Sequence, residues 1–173
     1  HPGDDIFPAF SPDGRKITFT SGRNGNLDIF EMNSDGSQPK PLTSHKNRDA
    51  WSRYSPDGKK LVFFSRRDSI DDNDEIYVMN TDGSSVRRLT TNAGNDFCPD
   101  WSPDGKQIAF ISIQPHNELY VYRINADGTL LKRLTAIPDR VSTPSWSPDG
   151  KAIAFSSQRD GNLEVYLMEV EPM

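Results

Sequence analysis

The sequence predicts an all-β protein, a β-propeller of four antiparallel blades, from three observations. The tetrapeptide Ser-Pro-Asp-Gly occurs four times, at 11–14, 55–58, 102–105 and 147–150, which gives spacings of 44, 47 and 45 residues. Each copy follows an aromatic residue and precedes a short apolar run. No segment shows sustained helical periodicity. Tandem repetition at this period is typical of solenoids and propellers.

Each repeat is predicted to form four strands, which we call a, b, c and d. In Ser-Pro-Asp-Gly, proline presets φ, aspartate accepts a local hydrogen bond, and glycine takes the left-handed conformation that closes the a–b hairpin. Strand c is predicted at 27–30, 75–78, 118–121 and 163–166. Asn-x-Asp-Gly at 33–36, 80–83 and 125–128 predicts the c–d hairpins, and Leu-Thr at 42–43, 89–90 and 134–135 follows them. Four thin sheets bury both faces by stacking around an axis.

The predicted chain is one propeller domain, 1–173, with repeats at approximately 5–48, 49–95, 96–139 and 140–173. The last blade lacks strand d, because the sequence stops soon after strand c. Few residues precede the first strand a, so the start of the chain offers no independent strand to replace it. We therefore expect this chain to be the C-terminal part of a longer propeller. The alternatives are a compact four-blade ring and self-association of two chains into a ring of eight blades.

The repeat resembles a known family. The fourth copy, with Trp146-Ser-Pro-Asp-Gly150, Ile153-Ala-Phe155, Ser157 to Asn162 and Val165-Tyr166, is similar to the WD-like repeat of TolB-type propellers. The resemblance covers nearly the whole chain, and the family usually builds six or more blades. It implies a bacterial protein in the periplasm or outside the cell. The same blades also accompany prolyl-oligopeptidase-like peptidases, so the fold alone does not define the function.

Composition excludes several classes of function. The net charge is −5 and no basic run is present, which argues against nucleic acid as a partner. No apolar run approaches the roughly 20 residues of a membrane span. The single cysteine and three histidines show no zinc-ligand spacing, and no Gly-x-Ser-x-Gly motif occurs. We therefore predict that this chain has no catalytic residues and no cofactor.

Features that recur in every repeat are best explained by the fold, whereas features unique to one repeat need another explanation. The turn carboxylates are therefore predicted to be structural: Asp13, Asp57, Asp104 and Asp149. The aromatic residues before the turns are predicted to pack: Phe10, Tyr54, Trp101 and Trp146. Arginine recurs at one position of the b–c loops, in Arg23, Arg67 and Arg159, while Gln114 departs from it. These arginines are predicted to brace their own loops.

The d–a loops, at 45–49, 91–96 and 136–140, provide the main candidates for partner binding. Asp5, Asp49 and Asp96 share one register. They either form an acidic ring at the channel mouth that holds a cation or a basic peptide end or, as we favour, cap backbone amides of the incoming strand. Trp51 and Phe97 are large where other repeats have small residues, so they are either binding anchors or half-buried packing residues. The candidate residues for partner binding are Arg48, Asp49, Trp51, Asp96, Phe97, His116 and Arg140.

The second b–c loop is rich in carboxylates. Asp68, Asp71, Asp72 and Asp74 provide oxygen ligands of the kind that calcium prefers. The loop lacks the central glycine and the spaced glutamate of an EF-hand. A solvated acidic loop is therefore favoured over a calcium site.

These observations predict a non-catalytic module that binds a protein or peptide, at the face of the b–c and d–a loops or in the central channel. The alternative is the substrate-gating propeller of a prolyl-oligopeptidase-like peptidase whose catalytic domain lies outside this chain. A carbohydrate-acting propeller is a third reading, but the chain offers few histidines and acids for it.

Overall fold

A computed structural model describes residues 3–68, 73–136 and 140–171, and these residues form four antiparallel sheets in chain order. Blade 1 contains β1 (Asp5–Phe10), β2 (Lys16–Ser21), β3 (Asp28–Asn33) and β4 (Lys40–Pro41). Blade 2 contains β5 (Asp49–Tyr54), β6 (Lys60–Ser65), β7 (Glu75–Asn80) and β8 (Arg87–Arg88). Blade 3 contains β9 (Asn95–Trp101), β10 (Gln107–Gln114), β11 (Glu118–Asn125) and β12 (Lys132–Arg133). Blade 4 contains β13 (Ser142–Trp146), β14 (Ala152–Ser157) and β15 (Glu164–Glu169). The predicted four-blade propeller with a three-stranded last blade is confirmed.

The Ser-Pro-Asp-Gly turns are held by one repeated set of hydrogen bonds. The Ser11 hydroxyl donates to the Asp13 carboxylate at 2.6 Å, and the same carboxylate accepts the Arg15 amide at 3.1 Å. These hydrogen bonds lower the pKa of the Asp13 carboxyl, because they favour its charged form. Equivalent bonds occur at Asp57, Asp104 and Asp149. The predicted structural role of the four carboxylates is confirmed.

The Leu-Thr pairs explain how a strand d of two residues is retained. The Thr43 hydroxyl accepts the amide of Ile29 at 2.9 Å, across the sheet from strand d to strand c. Thr90 and Thr135 make the same contact with Ile76 and Val121, at 2.9 Å and 3.1 Å. The threonine side chain therefore extends the short hydrogen-bond ladder by one bond.

Blade 3 departs from the predicted register of strand c. Strands β10 and β11 have eight residues each and are joined by a short 3-10 turn, Pro115–Asn117. Phe110 pairs with Tyr122, as Phe63 pairs with Tyr77 in blade 2. The residues equivalent to other blades therefore lie two positions later than the pattern at 118–121 predicted, because the hairpin is longer.

Successive blades pack through one repeated apolar contact. In blades 2, 3 and 4, the aromatic residue before the turn and the start of strand b pack against the preceding blade, on the leucine that follows its strand d and on its strand c or strand b. Between blades 1 and 2, Tyr54, Leu61 and Met79 contact Ile29 and Leu42. Between blades 2 and 3 the contacting residues are Trp101, Ile108 and Ile124 against Ile76, Val78 and Leu89. Between blades 3 and 4 they are Trp146, Ile153 and Met168 against Ala109 and Leu134.

The predicted packing role of the aromatic residues is thus confirmed for Tyr54, Trp101 and Trp146. It is wrong for Phe10, which is 65% exposed. The physical reason is that, within the described residues, no sheet precedes blade 1.

Strand a is the innermost strand of each blade. Strand β1 lies beside β5, β5 beside β9, and β9 beside β13, whereas strands c and d lie progressively further out. Residues on strand a therefore line the axis of the propeller. No helix in the described ranges has the length and apolar character needed to cross a membrane.

Candidate functional site

Every strand a has a bulge four residues before the turn serine. The residues at this position have positive φ angles: Phe7 (56°), Trp51 (59°), Cys98 (53°) and Thr143 (40°). The pairing of strands a and b shifts register at the same place in each blade. Non-glycine residues rarely adopt this conformation, and a bulge redirects a side chain. The bulge could not be seen in the sequence, because the four residues have nothing in common.

Three of the bulge residues line a cavity of about 440 Å³ at the inner edge of blades 1 to 3, which we call the inner pocket. Its lining residues are Phe7, Arg48, Trp51, Phe64, Arg66, Asp74, Asn95, Phe97, Cys98 and Ile113. The ring centroids of Phe7 and Trp51 are 4.4 Å apart. The Arg53 guanidinium lies 5.2 Å from the Trp51 ring, within the range of a cation–π contact. An apolar cavity with a few polar groups is typical of a ligand site.

One buried carboxylate organises the polar wall of the inner pocket. The Asp74 side chain is 4% exposed. It accepts hydrogen bonds from Arg48 Nε at 2.9 Å and from Arg66 Nε at 3.3 Å, and Arg48 Nη2 also contacts it. The Arg48 side chain is 40% exposed, so its guanidinium is both fixed and accessible. A fixed guanidinium at the rim suits a ligand carbonyl or carboxylate.

Calcium binding by the second b–c loop, the alternative to a solvated acidic loop, stays a hypothesis. Asp74 is engaged by two guanidinium groups, and the exposed Asp68 accepts the Tyr77 hydroxyl at 3.2 Å. Burial, with the nearby Asp68 charge, raises the pKa of Tyr77 to about 12. Asp71 and Asp72 lie outside the described residues. In the ranges that are described, no group of three or more His, Cys, Asp and Glu residues could hold a metal ion.

The aspartates of the d–a loops bind side chains of their own blade. Asp5 accepts Arg23 at 2.9 Å, and Asp49 accepts Arg67 at 2.6 Å. The amide-capping role that we favoured is not what the structure shows for these carboxylates, because the recurring arginine lies close enough to pair with them. Each arginine Nε also donates to the serine that begins its loop. The prediction that these arginines brace their own loops is confirmed.

Blades 3 and 4 each keep only one member of this aspartate–arginine pair. In blade 3, where Gln114 replaces the arginine, Asp96 accepts the Ser112 hydroxyl at 2.5 Å and the Asn92 amide at 2.9 Å. Burial raises the pKa of Asp96 to about 7. In blade 4, where Val141 replaces the aspartate, the Arg159 guanidinium lies 4.2 Å from the Tyr166 ring.

The structure separates the predicted binding residues into three groups. Arg48, Trp51 and Phe97 meet at the inner pocket, together with the metal candidate Asp74. Asp49 and Asp96 are fully buried, so no ligand reaches them without rearrangement. His116 and Arg140 are exposed and lie outside the pocket lining.

Several pocket residues were missed by the sequence analysis: Phe7, Phe64, Arg66, Asn95, Cys98 and Ile113. Phe7 and Cys98 share the Trp51 position relative to the turn serine, and that register was the one available signal for them. Burial raises the pKa of the Cys98 thiol to about 12, so it is not a reactive thiolate.

Four consecutive meander sheets with strand a innermost define a β-propeller protein. A protein-family model described as the TolB beta propeller domain matches residues 1–71 and 53–172. The chain belongs to this family.

Solved structures agree with the assignment. A protein described as a TolB from Agrobacterium tumefaciens is 29% identical, with a TM-score of 0.83, and the match covers 93% of this chain and 60% of that one. TolB from Acinetobacter baumannii is also 29% identical, with a TM-score of 0.83, over 94% of this chain and 40% of that one. The chain thus spans only part of the length of these relatives. A puromycin-hydrolyzing peptidase of Mycobacterium tuberculosis is 18% identical, with a TM-score of 0.73, over 95% of this chain and 27% of that one, and shows the fold alone. No curated protein matched the sequence.

Proposed function

We propose that this chain is a non-catalytic binding module of a bacterial cell-envelope protein, and that it takes a protein or peptide segment at the inner pocket. The observation that carries the proposal is the meeting of Phe7, Trp51 and Phe97 around one cavity whose rim holds the Arg48 guanidinium. Membership of the TolB propeller family supports the envelope role and a periplasmic or extracellular location. The peptidase alternative has weaker support, because that likeness extends to the fold alone.

The pocket fits an anchor side chain better than a large cofactor. Its volume of about 440 Å³ lies near the lower end of ligand sites, and aromatic residues form much of its wall. Aromatic side chains and arginine are the residues that contribute most to binding free energy at protein interfaces. We therefore expect the partner to insert an aromatic or branched aliphatic side chain beside Trp51. Arg48 then binds a backbone carbonyl or carboxylate of the same segment.

The test is selection of peptides from a random twelve-residue library displayed on phage, with the intact chain immobilised. The selected peptides are then synthesised and their affinity is measured by isothermal titration calorimetry. We expect Trp51→Ala to weaken binding by about 30-fold, equivalent to a hot-spot loss of about 2 kcal/mol. Leu130→Ala is the matched control, because Leu130 is 63% exposed and lies outside the pocket lining.

Two results would count against the proposal. The first is that selection yields no peptide with measurable affinity for the intact chain. The second is that the selected peptides bind Trp51→Ala and Leu130→Ala equally well, which would place the site elsewhere.

A further inference from the structure

Two buried carboxylates lie together between blades 2 and 3: Glu75 of strand β7 and Asp96 of strand β9, which we call the acid pair. Both residues are 0% exposed. The Thr90 side chain lies against both of them, because its hydroxyl donates to Glu75 at 2.5 Å and is also within hydrogen-bonding reach of Asp96. A hydroxyl has one proton, so Thr90 donates to one carboxylate at a time.

The cation beside the acid pair serves Glu75. Arg88 Nη2 donates to the Glu75 carboxylate at 2.6 Å. The donors that the described residues offer to Asp96 are neutral: the Ser112 hydroxyl at 2.5 Å and the Asn92 side-chain amide at 2.9 Å. Two ionised carboxylates against one guanidinium would leave a net negative charge in the interior, which is unfavourable without a further cation or a proton.

Blade 2 shows how the same charge is compensated elsewhere in the molecule. Asp49 is the equivalent of Asp96, and the Arg67 guanidinium pairs with it at 2.6 Å. In blade 3 the arginine position holds Gln114, whose side-chain amide donates to the Ser112 hydroxyl at 2.6 Å. A proton on the acid pair therefore takes the place of the arginine that blade 3 lacks.

The other groups that face Asp96 favour the same state. Burial, with the nearby Glu75 charge, raises the pKa of Asp96 to about 7. Strand β10 has no charged residue in its sequence. Strand β11 brings Tyr122 near Asp96, and burial raises the pKa of Tyr122, although Arg133 opposes that rise. Tyr122 is therefore neutral over the range in which Asp96 titrates.

The acid pair is joined to the wall of the inner pocket by its neighbours in sequence. Asn95 and Phe97, on either side of Asp96, line the pocket, and so does Asp74, which precedes Glu75. The Asp96 amide donates to the Asp74 carbonyl at 2.7 Å, and the Asp74 amide donates to the Asn95 side chain at 3.0 Å. A buried charge on Asp96 that lacks a cation must gain water or move, and its own backbone is part of this wall.

We propose that the proton of the acid pair controls the inner pocket: the protonated pair holds residues 92–97 against Asp74, and loss of the proton loosens this wall and weakens partner binding. This inference rests on the proposed function, because the inner pocket is the site that it regulates. The neutral carboxyl is the form that suits a buried position, so the closed wall is favoured below the folded-state pKa of Asp96 and is lost above it. The pocket is therefore expected to bind its partner at mildly acidic pH and to release it as the pH rises.

The proton can be followed without a ligand, by NMR of the intact chain. The chemical shift of the Asp96 side-chain carboxyl carbon is expected to titrate with a midpoint near pH 7, and the amide signals of Asn95 and Phe97 should move with it. Gln114→Arg copies the blade 2 arrangement, and it is expected to keep Asp96 ionised over this range. Gln158→Arg is the matched control, because it adds the same charge to the b–c loop of blade 4, and it should titrate like the unaltered chain.

Partner binding is then measured with the selected peptides by isothermal titration calorimetry. Peptides without histidine or cysteine and with an acetylated N-terminus are used, so that the ligand itself does not titrate. With the pKa of Asp96 at about 7, about 3% of the chains keep the proton at about pH 8.5. If the open wall does not bind, the affinity is expected to be about 30-fold lower at that pH than at about pH 6. Gln158→Arg should show the same fall.

Asp96→Asn provides a second variant, because its side chain cannot ionise and remains neutral like the protonated acid. It is expected to bind the peptides equally well at both pH values. The proposal is overturned if Asp96→Asn keeps the pH dependence of the unaltered chain, or if the unaltered chain binds with one affinity at both pH values. It is also overturned if the Asp96 carboxyl signal does not titrate near pH 7, or titrates unchanged in Gln114→Arg.

Failure of the proposed function would look different. No selected peptide would then bind the pocket at either pH, while the Asp96 carboxyl signal and the amide signals of Asn95 and Phe97 would still titrate together. That result would refute peptide binding at the inner pocket and would support the coupling between the proton and the wall.

Discussion

Replacing Arg67 with methionine is expected to destabilise the protein by about 4 kcal/mol, because it leaves a buried carboxylate without its cation. The Asp49 side chain is 0% exposed and accepts the Arg67 guanidinium at 2.6 Å. Arg67 also lies over the rings of Phe63 and Tyr77, and methionine retains much of that apolar contact. Burial, together with the Asp49 charge, raises the pKa of Asp28, and Arg67 opposes that rise. Removing the guanidinium therefore raises the free-energy cost of keeping two neighbouring carboxylates, Asp49 and Asp28, charged in the folded protein.

Blade 4 provides an internal control for this prediction. Arg159 holds the same position and covers Tyr166, but Val141 stands where blade 2 has Asp49. Arg159→Met loses a cation–π contact and a hydrogen bond but leaves no buried carboxylate unpaired. It is therefore expected to lower the free energy of unfolding by about 1–2 kcal/mol. The assay is urea-induced unfolding at neutral pH, followed by tryptophan fluorescence.

The double variant Arg67→Met/Asp49→Val copies the blade 4 arrangement into blade 2. It is expected to recover most of the stability lost by Arg67→Met, because the unpaired carboxylate is gone. If Arg67→Met costs no more than Arg159→Met, the pairing contributes nothing beyond packing and the reasoning is refuted.

Two further predictions concern a titrating acid and a close backbone contact. The folded-state pKa of Asp96 is about 7, above its unfolded value near 4, so the protonated form stabilises the fold and that stability is lost as pH rises. Thermal unfolding should show that the free energy of unfolding falls by about 2–3 kcal/mol between about pH 5 and about pH 8, and the Asp96→Asn substitution should make this fall smaller. If the variant keeps the pH profile of the unaltered chain, the raised pKa does not belong to Asp96. Gly83 and Gly36 hold equivalent turn positions, with φ angles of +86° and +85°. A Cβ atom on Gly83 would lie 2.5 Å from the Leu42 carbonyl oxygen, whereas a Cβ atom on Gly36 would meet open space. Urea unfolding should show that Gly36→Ala lowers the free energy of unfolding by about 1–2 kcal/mol and that Gly83→Ala lowers it by about 1–3 kcal/mol more. Equal losses would show that the backbone moves to relieve the contact with Leu42 at little cost.

The repeat made the blades predictable because the residues that specify them are local. Ser-Pro-Asp-Gly encodes its own hydrogen bonds within five residues, so the hairpins and the role of Asp13 follow from the sequence alone. The Phe10 position shows the limit of this reasoning. Its environment depends on whether a blade precedes it, which a pattern within one repeat does not contain.

The site was predicted only in part because it depends on contacts between repeats. Trp51 and Phe97 were recognised as unusual, but their meeting with Phe7 requires the bulge in strand a. The pairing of Asp49 with Arg67 joins residues that are 18 positions apart in sequence. Their shared periodicity was visible, yet it gave no indication that one residue was the partner of the other.

The strand a bulge has a consequence for how such a protein can change. The hairpins are specified by the Ser-Pro-Asp-Gly turns, whereas the bulge position carries phenylalanine, tryptophan, cysteine and threonine in turn. A substitution at the bulge position changes the side chain that faces the propeller axis, and it leaves the hydrogen bonds of the Ser-Pro-Asp-Gly turn intact. The propeller thus separates a constant framework from a variable position that occurs once in each blade. A chain built in this way can acquire a new binding preference one blade at a time.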